Sequence, residues 1–260
     1  MVKRILILTG IVSLISTAAI AASQPEPIWA SGALRLSDRS SPAYMAETFI
    51  SLGNMDTMSI FTEPLIYIKD SKLGADIGVG SRLPVFSNQA LIGYNGFVDF
   101  ETENSQKRIS MGAEFFYPYF SAHVNMYLPF SDEHDRREAV PGMDLTFGIP
   151  LPSASFVTLW PGFYFYSGRD RSDMKGFSLT VEARPIRILS LSLGGRNDAI
   201  DEGRNDRGEV FAKVEVIIPM KRLGEDLFKF DRGEYPVNVD SMMDHRIVRE
   251  PFVSFERRYR

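Results

Sequence analysis

No cysteine occurs in the chain, which removes disulfides, thiolate nucleophiles and thiolate metal ligands at one stroke and suits passage through an oxidising compartment. Histidine is almost as scarce, with 3 residues, His123, His134 and His245, so an imidazole-rich metal centre has little to draw on. Beyond residue 21 no run approaches the roughly eighteen consecutive apolar residues that a spanning helix requires. A helical membrane protein is therefore excluded. Neither sign of charge dominates: the formal net charge is −4, and the Lys and Arg residues are scattered rather than gathered into a basic stripe, which argues against nucleic acid as a partner. No Ser/Gly/Pro-rich linker divides the strand-forming region, so it reads as one domain.

What the chain does contain begins with Lys3 and Arg4, an apolar run from Ile5 to Ile20, and the small-x-small triplet Ala19-Ile20-Ala21. Together these predict a cleavable signal peptide over residues 1–21 and export of the remainder. From Leu73 to Ile218 the sequence repeats segments of about ten residues in which apolar and polar side chains alternate, the pattern of a transmembrane β-barrel. Successive strand side chains point to opposite faces. Leu73, Ala75, Ile77, Val79 and Leu83 thus oppose Asp76 and Arg82, while Ile92, Tyr94, Val98 and Phe100 oppose Asn95, Asp99 and Glu101. The same rule sets Arg108, Ser110 and Glu114 against Ile109 to Tyr117, and Ser121, His123, Asn125 and Tyr127 against Phe120 to Leu128. It puts Glu182 and Arg184 opposite Phe177 to Ala183, and Lys213 and Glu215 opposite Val210 to Val216.

Three earlier segments, 29–36, 47–52 and 59–68, alternate less regularly, and the last contains Pro64, which a strand tolerates best at an edge or bulge. With residues 156–166 they bring the total to about twelve strands, an even number that leaves both ends on one side. Short turns around Asn54, Asn88, Pro118, Pro150 and Pro185 alternate with longer charged loops, which places the long loops outside and the short turns in the periplasm. Tyr117, Tyr119, Phe120, Tyr127, Trp160, Tyr164 and Tyr166 lie near strand ends, where rings settle at the membrane interface. The expected fold is all-β, a closed antiparallel transmembrane barrel over residues 22–220, followed by a C-terminal linker or lumen segment over 221–260.

The blocks LGADIGVGSRLPV (73–85), ALIGYNGFVDFE (90–101) and RISMGAEFFYPYFSAHVNMYLPFS (108–131), with VRE at 248–250 and FVSFE at 252–256, resemble the β-domain of the intimin/invasin family, the inverse autotransporters. That resemblance implies a twelve-stranded outer-membrane barrel inserted by the barrel-assembly machinery. Its N-terminus would be periplasmic, and its C-terminal segment would run through the lumen toward the cell surface. In the family that segment leads to an adhesive passenger; residues 224–260 are too short for one, so a displayed passenger is not expected here.

The expected surroundings are outer-membrane lipid and lipopolysaccharide, and nothing calls for a cofactor or metal. The residues identify no ligand for the outer loops and no passenger carried by another chain. The expected lumen-facing polar residues are Asp76, Arg82, Asp99, Arg108, Glu114, His123, Glu182, Arg184, Lys213 and Glu215. Residues 241–250 are expected to form a short helix capped by Asp240 and to sit in the lumen as a plug through Asp244, Arg246, Arg249 and Glu250.

Two other chemistries are open to the polar residues. His123 with Asn125 could belong to a Ser-His-Asn hydrolase site. His134 within Asp132 to Arg137, and the acidic residues Asp201, Glu202 and Asp206, could attract a cation, although solvated charged loops explain both. The leading expectation is a non-enzymatic, translocator-like barrel; the alternatives are a small-solute porin and, behind it, an outer-membrane hydrolase.

Overall fold

The computed structural model describes residues 25–55, 57–102, 106–131, 137–168, 173–199, 208–222, 227–230, 235–252 and 255–257. The expected signal peptide, the loop holding His134 and residues 201–206 lie outside the described residues.

The wall is built from β1 (Glu26–Ser37), β2 (Ala43–Met55), β3 (Met58–Thr62), β4 (Leu65–Lys69), β5 (Lys72–Val85), β6 (Ala90–Glu101), β7 (Gln106–Tyr117) and β8 (Phe120–Pro129). After the short β9 (Arg137–Ala139), it continues through β10 (Gly142–Leu151), β11 (Ala154–Tyr166), β12 (Met174–Ile186), β13 (Leu189–Ala199) and β14 (Glu209–Pro219). Each strand pairs antiparallel with its neighbour, and β1 closes the ring by pairing with β14 from Trp29↔Pro219 to Ser37↔Phe211. Because β3 and β4 lie end to end between β2 and β5, they share one position, and the result is a closed antiparallel barrel of 12 strands.

Lengths of 10 to 14 residues in β5 to β8 suit a strand that crosses a bilayer at a tilt. Closure leaves no unpaired backbone edge for hydrocarbon to meet, the condition a membrane imposes on a sheet. The alternation sorts the two faces sharply. Leu73, Ile77, Tyr94, Met126, Phe163, Phe177, Leu193 and Val210 are exposed, whereas Asp76, Arg82, Asp99, Arg108, Glu114 and Glu215 on the opposite face are buried. Exposed apolar and buried charged residues invert the soluble pattern, as expected when the outer solvent is lipid. Ile77, at 57% exposure near the middle of β5, tests this directly. Ile77→Lys is expected to lower the unfolding free energy in lipid vesicles by about 2 kcal/mol, near the cost of a cation at the bilayer midplane; urea titration followed by tryptophan fluorescence reads it.

Pro64 interrupts its strand within the wall: β3 stops at Thr62 and β4 starts at Leu65, and the gap is held by Thr48 N donating to Pro64 O and Glu63 N donating to Gly78 O. Two expectations need correction. The loops do not alternate throughout, since β4 and β5 on the long-loop side are joined by a two-residue turn at Asp70 and Ser71. Both have φ in the left-handed region (52° and 62°), the geometry of a tight hairpin. Finally, Tyr127, Trp160, Tyr164 and Tyr166 do not belong to an interfacial belt. Their rings lie on the polar face, where Trp160 Nε1 donates to Glu182 and the Tyr164 hydroxyl to the carbonyl of Asn197.

Candidate functional site

The C-terminal residues meet the polar face of the wall. Asn238 caps one turn of 3-10 helix, Val239–Met242, by accepting from Asp240 N at 2.9 Å, and Val239 and Met242 bury themselves against Leu91 and Phe116. The expected helix over 241–250 is thus reduced to a single turn, and its cap is Asn238 rather than Asp240. Beyond Met243 the carbonyls find arginine side chains on distant strands, and the β-branched pair Ile247-Val248 followed by Pro251 favours an extended course.

Arg82 on β5 is fully buried and grips both partners. One edge of its guanidinium holds Glu114 of β7 through both carboxylate oxygens at 3.0 to 3.2 Å, while Nη1 donates to the carbonyls of Met242, Met243 and His245 at 3.2, 2.7 and 2.6 Å. Met242 O also accepts from His245 N at 3.2 Å, and the cation serves as donor to Met243 O and His245 O just past the turn. The rings of Phe61 and Phe116 lie 4.8 and 4.9 Å from the guanidinium carbon.

Arg108 on β7 repeats the device. Its Nε donates to Asp99 Oδ2 at 2.6 Å, and its two terminal nitrogens donate to Phe252 O (3.0 Å) and Glu250 O (2.6 Å). Asn125 donates to Val248 O at 2.9 Å, Trp29 Nε1 to Asp244 O at 2.9 Å, and Glu63 accepts from Ile247 N with both oxygens at 3.1 Å. The Tyr127 hydroxyl accepts from Glu250 N at 2.8 Å and donates to Asp144. From Met242 to Phe252, wall side chains satisfy one backbone group after another.

Two side chains of the segment are equally well met. Arg249 donates to Asp76 Oδ2 at 2.7 Å and to Asp99 Oδ1 at 3.0 Å, with its guanidinium carbon 3.9 Å from the centroid of the Phe97 ring. Arg246 forms a two-point pair with Glu215 of β14, which also receives Lys213, and reaches Glu47 of β2 at 3.4 Å.

Of the expected lumen-facing residues, Asp76, Arg82, Asp99, Arg108 and Glu215 touch the segment directly; Glu114 holds Arg82, and Lys213 holds Glu215. Glu182 and Arg184 pair with each other at 2.7 Å, and Ser190 donates to the same carboxylate. Among the segment's expected contacts, Asp244 contributes its carbonyl, and the Glu250 carboxylate lies 3.6 Å from Arg196.

Sequence reasoning missed Glu47, Glu63, Trp29 and Asp144. A carboxylate adjoining a proline in an irregular strand was the signal at Glu63: the break at Pro64 lets that side chain reach Ile247. The anticipated pairing of His123 with Asn125 does not form. His123 Nε2 lies 2.9 Å from Ser121 Oγ and Nδ1 lies 3.4 Å from Glu114, whereas Asn125 bonds Asp144 and Val248. A hydroxyl, an imidazole and a carboxylate in line invite a hydrolase reading, yet the imidazole is 1% exposed and the carboxylate already holds Arg82 through both oxygens, so the row acts as a brace for that arginine. Among the described residues no group of His, Asp and Glu is arranged to hold a metal ion. Beside residues 245–252 runs a cavity of about 280 Å³, bordered by Thr146, Tyr164, Thr180, Arg196 and Lys213.

Comparison with known proteins agrees with this architecture. A family model described as the inverse autotransporter β-domain matches residues 34–228. Intimin of Escherichia coli O127:H6 is 25% identical over 178 residues, covering 62% of this chain and 18% of intimin; intimin of E. coli O111:H- is 30% identical over 173 residues, covering 60% and 17%. The chain thus spans less than a fifth of the length of these curated relatives. A solved chain from a study of the in-meso crystallization of membrane proteins superposes with a TM-score of 0.72 at 17% identity, covering 88% of this chain and 100% of that one.

Proposed function

The chain belongs to the inverse autotransporter β-domain family, and from that premise we propose that it is a non-enzymatic, translocator-type barrel of the outer membrane whose residues 238–252 lie in the lumen as a plug. The observation that carries this reading is the run of wall side chains bonded to the backbone of Met242 to Phe252 from β1, β5, β7, β8 and the β3–β4 gap. Strands on different sides of a closed ring can hold one segment together only if it runs between them. The chain enters from the short-turn side, where Val237 N donates to Pro118 O, and residues 255–257 pair with β9 in the long loop after β8. In this reading the long loops face outward, and the wall meets outer-membrane lipid and lipopolysaccharide after insertion by the barrel-assembly machinery.

A small-solute channel is less well supported, because the bonded segment takes up much of the space a solute would use. A peptide tag appended after Arg260 tests the topology: the reading expects protease added to intact cells to remove the tag. Removal only after the outer membrane is permeabilised would overturn it.

A further inference from the structure

The contacts to the C-terminal segment divide into two kinds with different information content. Arg82, Arg108, Asn125, Glu63 and Tyr127 bond backbone carbonyls and amides, which every residue other than proline offers alike. Side-chain identity is read elsewhere, in two acidic sockets. One is formed by Asp76 and Asp99, which stand directly opposite each other on β5 and β6. Like charges in that cross-strand position repel, and both carboxylates are buried, so the pair is stable only with cations between and beside them. Arg249 and Arg108 fill those places. The other socket is Glu215 with Glu47, filled by Arg246.

We infer that the lumen is a binding site for one extended polypeptide that selects two arginines three residues apart, with the chain's own Arg246-Ile247-Val248-Arg249 as the resident occupant. This rests on the segment lying in the lumen and adds what the lumen recognises. Three residues of extended chain span about 10 Å, and an odd spacing turns the two side chains to opposite sides. The sockets match: Glu215 and Glu47 lie on β14 and β2, the two strands flanking β1, while Asp76 and Asp99 lie farther round the ring on β5 and β6.

Arginine rather than lysine is the residue the Asp76/Asp99 socket fits. The two terminal nitrogens of Arg249 reach separate carboxylates while the flat guanidinium lies against the Phe97 ring; a single ammonium cannot bridge and stack in that way. Any other extended peptide with the same spacing would find the same sockets once the resident segment let go.

Planar-bilayer recording of the full chain tests this. The variant carrying Arg246→Ser and Arg249→Ser is expected to conduct several times more than the native barrel, and a synthetic peptide of residues 243–252 is expected to block that current. The same peptide with Val248 and Arg249 exchanged keeps charge and composition but breaks the spacing, and is expected to block about tenfold less tightly, the effect of losing one bridged arginine. Unchanged conductance in the double variant, or equal block by the two peptides, would overturn the inference.

Should the double variant fail to fold, the absence of native cysteine makes a milder test clean. Val248→Cys is expected to react slowly with a soluble maleimide, and adding Arg249→Lys is expected to accelerate the reaction about tenfold; an equal rate would count against the arginine socket. A tag exposed outside together with indifferent sockets would sink this inference alone. A tag confined to the periplasm would sink the lumen reading beneath it.

Discussion

Replacing Arg82 by methionine is expected to lower the stability of the folded barrel by about 3 to 5 kcal/mol, the usual cost of removing one member of a buried ion pair. The reason is what stays behind. Glu114 would keep a buried carboxylate beside His123 and Gly93, and the carbonyls of Met242, Met243 and His245 would lose their shared donor. Methionine fills much of the same space between Phe61 and Phe116, so packing changes little and the loss is chiefly electrostatic. The midpoint of the heat-dependent gel mobility shift, with urea unfolding in vesicles, measures it.

Pairing the change with Glu114→Gln removes the stranded charge, so the double variant is expected to be more stable than Arg82→Met alone. That recovery would identify the stranded carboxylate as the main cost. A double variant no better than the single one would instead assign the loss to the segment's unpaired carbonyls.

How much of this was legible beforehand depends on whether the deciding interaction is local. The alternation from β5 to β14 was readable because each strand separates two solvents, and a one-residue slip would carry Asp76 or Glu215 into lipid. The same parity already put Tyr127 on the polar side. Its position near a strand end argued for the membrane rim, and the parity was the better guide. Tyr164 and Tyr166 were misassigned for the same reason, since nearness to a strand end says nothing about which face a ring occupies, and Trp160 stands in the middle of β11 rather than near an end.

Residues 241–250 looked helical because their polar composition and a nearby aspartate are compatible with a capped turn. After the turn, Arg82, far away in sequence, takes the carbonyls of Met243 and His245, and Ile247-Val248 with Pro251 favours an extended course. The β-branched pair and the proline were local signs of that course; the contact with Arg82 left none in the segment. Arg246 and Arg249 were expected to meet the polar face of the wall, as they do, but the partners Glu47 and Glu63 were not anticipated, since β2 and the β3–β4 pair alternate too irregularly to show which of their polar side chains share a face. The break at Pro64 was legible as a break; that it would free Glu63 to bond Ile247 was not.

The glycines of β5 support the last expectation. The space beside each is taken by a ring from a neighbouring strand: a side chain at Gly74 would strike Tyr67, at Gly78 it would strike Phe97, and at Gly80 it would strike Phe61. Phe97 matters most, because its other side carries the guanidinium of Arg249 and it shares a buried cluster with Trp29, Phe49, Phe61 and Ile247.

Gly78→Leu is therefore expected to displace that ring, overpack the cluster and remove the stacking beneath Arg249, for a combined loss of about 3 kcal/mol. Its signature differs from that of a uniform weakening. A Cβ at Gly96 on the adjacent strand meets nothing closer than 3.9 Å, so Gly96→Ala should leave the gel-shift midpoint near the native value. Gly78→Leu should lower that midpoint and raise the bilayer conductance together, because one ring supports both the wall and the segment. A lower midpoint without any rise in conductance would mean that Arg249 stays seated by its two carboxylates alone.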